Sequence, residues 1–163
     1  MKSFILILLL LPVVAFSQEV VLKRDSVAFK KANKLIIENS GSAKENFALL
    51  QATFLTNGYS IRRTHDSFVI RTVDSLKESG TVSFYLTGHA RDKEIELTGQ
   101  VSTVASTAVL TAASDVFTYD ISNTDGAVQK KAFASLHDIA KQLKGKIMYL
   151  RVKTQGLRNR GTI

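Results

Sequence analysis

The chain has 163 residues, no cysteine and a formal net charge of +8, from 22 Lys and Arg against 14 Asp and Glu. The length fits one domain with a workable core. The lack of cysteine excludes a disulfide framework, a thiol nucleophile and a cysteine-based metal site.

Residues 1–17 have the three parts of a secretory signal peptide. Lys2 gives a positive start, residues 4–14 form an apolar run, and residues 15–17 (AFS) place small residues where a signal peptidase cuts. The run is too short to span a bilayer, which takes about 20 residues. An uncleaved anchor is the alternative interpretation. We expect an exported protein, periplasmic or extracellular, with 146 residues left when 17 are removed from 163.

The remaining chain divides into three parts without a visible linker. We predict an N-terminal extension at residues 18–32, one domain at 33–152 and a basic tail at 153–163. Residues 141–163 hold seven Lys or Arg and no acid, whereas residues 18–140 carry 14 cations and 14 acids. A basic tail favours anionic partners. For an exported protein we expect anionic lipid, glycan or an envelope protein before nucleic acid; the alternative is a solvated tail without a partner.

The first helix is the most clearly marked element. It follows a short strand predicted at residues 34–38, and Ser42 and Glu45 have the spacing of a capping box. Apolar residues then recur at helical spacing. Asn57 and Gly58 end the helix, because glycine accepts the left-handed conformation after a C-cap.

Alternating patterns next predict antiparallel strands. Residues 59–64 and 67–73 form a hairpin around His65-Asp66, and residues 78–80 form the next turn. Residues 81–87 and 94–101 alternate between apolar and polar. Alternation of this kind is typical of antiparallel sheets with one covered face.

The last third contains a second helix between two strands. Residues 102–114 fit strand, helix or irregular structure, and 116–121 predict a strand. Asp125 is expected to cap a helix that Gly145 ends, and residues 147–152 predict a final strand. The order β-α-β-β-β-β-(β)-α-β predicts an α+β fold: an antiparallel sheet of five to seven strands with two helices on one face.

This element order resembles exported bacterial domains of unknown function that adopt a TATA-binding-protein-like or helix-grip fold. The likeness extends in outline over residues 33–152. It implies no assigned enzymatic activity, and it does not by itself imply nucleic-acid binding. The residues that carry it are 55–58 (LTNG), 59–61 (YSI), the strand at 80–86, and Leu136, Ile139 and Leu143 in the late helix.

The chain shows no catalytic or cofactor motif. His65, His89 and His137 are not spaced as a His-Glu-x-x-His helix would require. A Gly-x-Ser-x-Gly elbow and a phosphate loop are also absent from the sequence. We therefore expect a non-enzymatic protein without cofactor or metal that acts by binding. A structural or interaction module using the basic tail is the alternative, and a hydrolase ranks last.

Topology suggests one candidate site. If strands alternate in direction, the turns that hold His65 and Arg91 share the end of the sheet where the first helix begins. If residues 116–121 run back, the second helix and the basic tail reach that end too. Helix N-termini attract anions. The hypothesis is an anion-binding edge made of His65, His89, Arg91, Arg158 and Arg160.

An apolar groove between the sheet and the second helix is a second candidate, lined by Phe84, Leu86 and Phe133. The same residues at these spacings also fit plain core. A deep cavity would favour a ligand-binding protein. A filled core with an open sheet face would favour an interaction module.

Overall fold

The computed structural model describes residues 19–73, 82–104 and 116–154. The predicted signal peptide, the turn expected at residues 78–80, most of the undecided segment 102–114 and the tail beyond Thr154 lie outside these ranges. The elements are β1 (Glu19–Asp25), β2 (Lys34–Glu38), α1 (Ala43–Thr56), β3 (Ile61–Arg63), β4 (Val69–Thr72), β5 (Val82–Arg91), β6 (Glu94–Val104), β7 (Val116–Asp120), α2 (Ala127–Gln142) and β8 (Lys146–Thr154).

The described strands form one antiparallel sheet of eight, in the order β1-β8-β2-β6-β5-β4-β3, with β7 also paired to β6. α1 packs on β5 and β6, and α2 packs on β6 and β2. The predicted α+β class is therefore confirmed. The additional strand is β1, from the segment that gave no pattern, and it pairs with β8. The sheet thus extends on both sides of the predicted domain limits, 33–152.

The position of β7 follows from a shared edge. β2 pairs with residues 94–97 of β6, and β7 pairs with residues 100–104 on the same strand. Because β5 occupies the other edge of β6, β7 has to leave the sheet at Asp120, where β2 begins. The chain then enters α2 from that place.

The core lies between the two helices and the covered face of the sheet. Leu35 and Ile37 of β2 face it with no exposed surface, as the alternation predicts. A Cβ at Gly88 would lie 2.4 Å from Leu50 Cδ2, so glycine is needed for α1 to approach β5 this closely. The fully buried apolar side chains of the largest volume also include Phe54, Phe84, Leu86, Ile95, Leu97, Ile121, Leu136 and Ile139.

α1 begins as its sequence predicts. The Ser42 and Glu45 side chains make the reciprocal bonds of a capping box. The carboxylate of Asp92, in the β5–β6 turn, accepts a hydrogen bond from Ala43 N at 2.8 Å. This contact fixes the start of α1 at the end of the sheet where β5 turns into β6. Gly58 has a φ of +79°, which explains the glycine after the helix.

α2 differs from expectation at both ends. Its N-cap is Gly126, without a side-chain hydrogen bond, because the Asp125 carboxylate pairs with Lys30. At the other end Lys144, and not Gly145, has positive φ (+49°). Gly145 is required for space, since a Cβ there would lie 2.5 Å from the Glu38 carbonyl oxygen.

The face of the sheet away from the helices is polar, and we call it the open face. Cross-strand partners on it include Tyr85 with Gln100, and Thr87 with Thr98. The helices lie on the opposite face, so these partly exposed side chains are covered by neither helix. Within the described residues, neither helix is long and apolar enough to cross a membrane.

Candidate functional site

Three of the five predicted anion-binding residues meet at one end of the sheet. His65 lies in the β3–β4 turn, which reaches β5 because Val69 pairs with His89. The Nε2 atom of His89 is 3.9 Å from Oδ2 of Asp66 in that turn. Arg91 ends β5 at the same place, beside the start of α1.

The start of α2 and the C-terminal end of β8 do not lie at this end of the sheet. The prediction that the second helix and the basic tail reach it is therefore wrong. Asn123 N, just before α2, donates to Ala32 O at 2.8 Å, before the start of β2. β8 runs from Lys146, which pairs with Glu38, to Thr154 at the far end of the sheet. The physical reason is the shared edge of β6: β2 fills the place along which β7 would have had to continue.

The cations that do meet there are already compensated. Arg91 has Glu94 and Glu96 each at 3.5 Å, and the nearby histidine faces a carboxylate, as described above. Arg158 and Arg160 lie outside the described residues. This end of the sheet therefore offers little unpaired positive charge for an anion.

A cluster of less compensated charge lies on the β3–β4 hairpin. Arg62 and Arg71 are direct cross-strand partners, and both are exposed. With Arg63, Thr64 and His65 they line a recess of about 360 Å³. We call it the arginine recess.

Two of these arginines are held by neutral groups. Arg71 Nη2 lies 3.0 Å from Gln100 Oε1, and its guanidinium carbon is 5.4 Å from the Tyr85 ring centroid. Arg63 Nη2 lies 3.2 Å from Gln51 Oε1 and stacks near a phenylalanine ring. Rings and amides orient a guanidinium without neutralising it. Both arginines are therefore positioned and still charged.

Arg62 makes no hydrogen bond or ion pair with any described residue. Like charges directly opposite each other in a sheet are destabilising, yet Arg62 and Arg71 stand in that relation. Lys34, elsewhere on the same face, has its positive charge compensated, because its ammonium contacts the carboxylates of Glu19 and Glu96. The arginine recess lacks such a carboxylate among the described residues.

A second recess, of about 270 Å³, lies beside the first on the open face. The two share Arg71, and the second is centred on the cross-strand pair Thr87 and Thr98. We call it the polar recess. Its lining residues come from seven strands. Those that bear on its chemistry are Glu19, Lys34, Arg71, Thr87, Thr98, Gln100 and Asp120.

Lys34, held by its carboxylate partners, forms a fixed wall of the polar recess. Its side chain is only 6% exposed and bridges β1 to β6 through Glu19 and Glu96. Burial alone would lower the pKa of Lys34, but the hydrogen bonds and charges of the two glutamates outweigh it and raise that pKa. The ammonium is therefore held protonated.

The residues predicted for an apolar groove belong to the core. Phe84, Leu86 and Phe133 are 2%, 1% and 5% exposed and lie in the same core cluster. A ligand would reach them only by displacing packed side chains, which is costly. These three residues therefore form part of the hydrophobic core, which was the alternative interpretation of their spacing.

The remaining histidine takes part in a packing contact. His137 Nε2 lies 2.8 Å from the Tyr149 hydroxyl. Burial, with a smaller effect of Lys141, lowers the pKa of His137, and burial raises the pKa of Tyr149. The described residues contain no group of three or more His, Asp or Glu placed to hold a metal ion.

No family model matches the chain, and no curated protein or solved structure is similar enough to count as a match. The resemblance to TATA-binding-protein-like and helix-grip domains thus stays a prediction from element order.

Sequence reasoning missed the arginine recess because of the hairpin register. A tight turn at His65-Asp66 would place Arg62 opposite Val69. In the structure the loop is longer, closed by Thr64 N donating to Val69 O at 3.2 Å, so Arg62 stands opposite Arg71 instead. One signal was present: residues 59–73 hold three arginines and a single acid.

Proposed function

We propose that the protein is an exported, non-enzymatic binding protein whose arginine recess holds an anionic ligand. The observation that carries the proposal is the direct pairing of Arg62 with Arg71, two exposed cations with no carboxylate partner among the described residues. An anion between them would replace a repulsion with two attractions.

The chemistry of the side chains supports an oxyanion in particular. A guanidinium presents several N–H donors in one plane and pairs with carboxylate, phosphate or sulfate through two parallel hydrogen bonds. Because the recess is open to water, each pair is worth only about 0.2–1 kcal/mol. We therefore expect modest, salt-sensitive affinity for a simple anion.

The alternative of contact through the basic tail rests on residues 155–163, beyond the described part of the chain. A filled core and an open polar face also fit an interaction module, as argued from the sequence. In both cases the binding surface would be the open face, and the arginine recess is its most cationic described part.

The test compares thermal unfolding in sulfate and in chloride at equal ionic strength. A ligand that binds only the folded state raises the melting temperature. We expect sulfate to raise it more for the wild type than for Arg62→Gln/Arg71→Gln. The control is Lys44→Gln/Arg151→Gln, which removes two exposed cations that also hold no acidic partner among the described residues.

Sulfate also stabilises proteins by exclusion from their surface, and the control measures that general effect. A recess variant with the full wild-type response to sulfate would refute the proposal. In chloride alone, the recess variant should be about as stable as the wild type, because the relief of a like-charge pair is offset by the loss of the Arg71 contacts with Gln100 and Tyr85.

A further inference from the structure

We infer that the polar recess binds a sugar ring, so that the natural ligand of the open face is an acidic saccharide. The inference rests on the proposed function, because Arg71 lines both recesses. The proposed function concerns the charged group of the ligand, and this inference concerns the uncharged sugar ring that carries it.

The first argument is the set of unused hydrogen-bonding groups. The hydroxyls of Thr87 and Thr98, the carboxylate of Asp120 and the amide nitrogen of Gln100 make no hydrogen bond with any described residue. Hydroxyls both donate and accept, a carboxylate accepts, and an amide nitrogen donates. Sugar hydroxyls complement this mixed set, whereas a bare anion would use only the donors.

The second argument is the placement of these groups. Thr87 and Thr98 are neighbours on β5 and β6, in the middle of the sheet. The guanidinium of Arg71 reaches from β4 across β5 to Gln100 of β6, and Asp120 of β7 is the cross-strand partner of Gln100. A guanidinium, an amide and a carboxylate thus border the threonine pair, where the hydroxyls of one sugar ring can pair with several of them.

The third argument is size and rigidity. At about 270 Å³, the polar recess is slightly smaller than most ligand sites, which start near 300 Å³, and suits a single ring. Its Lys34 wall is fixed by two carboxylates. Groups carried on central strands hold their geometry better than groups on loops.

The position of Arg71 links the two parts of the ligand. Arg71 extends from β4 to Gln100 of β6, so an anionic substituent on a ring in the polar recess would meet its guanidinium there. The backbone of Arg62 stands directly opposite that of Arg71 on β3. A uronic acid carboxylate and a sulfate ester present the same chemistry to these guanidiniums. Both kinds of acidic saccharide are therefore used as probes.

The experiment measures dissociation constants by calorimetry for digalacturonate, a sulfated disaccharide and inorganic sulfate. Thr87→Val/Thr98→Val removes both central hydroxyls and keeps the branched shape that suits a strand. The matched control is Ser83→Ala/Ser102→Ala, another cross-strand pair of β5 and β6 on the same face. Neither of its residues lines the polar recess.

We expect at least one acidic saccharide to bind the wild type more tightly than sulfate does. The threonine variant should lose about tenfold or more of that affinity and keep its affinity for sulfate. The serine control should keep both. A second variant, Asp120→Ala, changes an exposed residue outside the central strands. It should weaken saccharide binding while leaving sulfate binding equal or tighter, because a negative charge is removed.

The outcomes separate this inference from the proposed function. If sulfate binds but neither saccharide binds more tightly, or if both recess variants keep full saccharide affinity, the sugar site is refuted and the anion site stands. If neither sulfate nor either saccharide binds the wild type, both are refuted.

Discussion

At the scale of single residues, the open face is defined by which charges find partners. Lys34 is buried and satisfied by Glu19 and Glu96, whereas Arg62 is exposed and has no partner among the described residues. The sequence does not predict which of these two cations has a partner: in the sequence, Lys34 is only the polar first residue of a predicted strand. The partners lie on other strands, and only the register brings them together.

His137 provides a prediction on pH dependence. Burial lowers its pKa below the usual 6.5, so the unfolded chain takes up the proton more readily than the folded one. Stability from this group is therefore present above about pH 6.5 and is lost as the pH falls. The facing groups are Tyr149, Lys141, which lowers the pKa further, and Asp138, which raises it.

The measurement is the urea midpoint of the wild type and of His137→Gln between pH 7.5 and 5.5. Glutamine does not titrate, and its amide oxygen can still accept a hydrogen bond from Tyr149. We expect the wild type to lose more stability than the variant over this range. Equal losses in both proteins would show that His137 does not contribute to the pH dependence.

At the scale of elements, the sequence correctly predicted helix ends that depend on neighbouring residues, but not those that depend on residues distant in the chain. Ser42, Glu45 and Gly58 lie within or beside α1, and each has the predicted role. The predictions for the two ends of α2 were wrong because residues distant in sequence determine them. The Asp125 carboxylate pairs with Lys30, which is 95 residues away in sequence, and therefore does not cap the helix. Gly145 is required after the helix because the chain there passes close to Glu38 of β2.

The uncapped start of α2 yields a stability prediction. Gly126→Ser should raise the free energy of unfolding by about 0.5–1 kcal/mol, because serine caps a helix and restricts the unfolded chain. A Cβ there meets nothing within 4 Å. Chemical denaturation checks this, with Gly58→Ser as the matched control. The control should be destabilised by its positive φ, and a loss of stability in Gly126→Ser would contradict the assignment.

At the scale of the whole molecule, the sheet separates a filled core from an open polar face. The α+β class, the two helices and most strand faces could be predicted from alternation and helical spacing. The recesses could not, because they combine strands that are distant in sequence: the polar recess is lined by residues of β1, β2, β4, β5, β6, β7 and β8. Residues 18–140 are neutral as a stretch of sequence, yet folding places Arg62 and Arg71 side by side on neighbouring strands.

The central claim is that this gathered charge is an anion site. The most direct measurement is a titration of the isotopically labelled protein with inorganic sulfate at low ionic strength, followed by backbone amide shifts in NMR. We predict saturable shifts that cluster at Arg62, Arg63 and Arg71, with small changes near Arg91, whose charge is already compensated. Shifts spread evenly over exposed Lys and Arg, or centred on Arg91, would contradict the account.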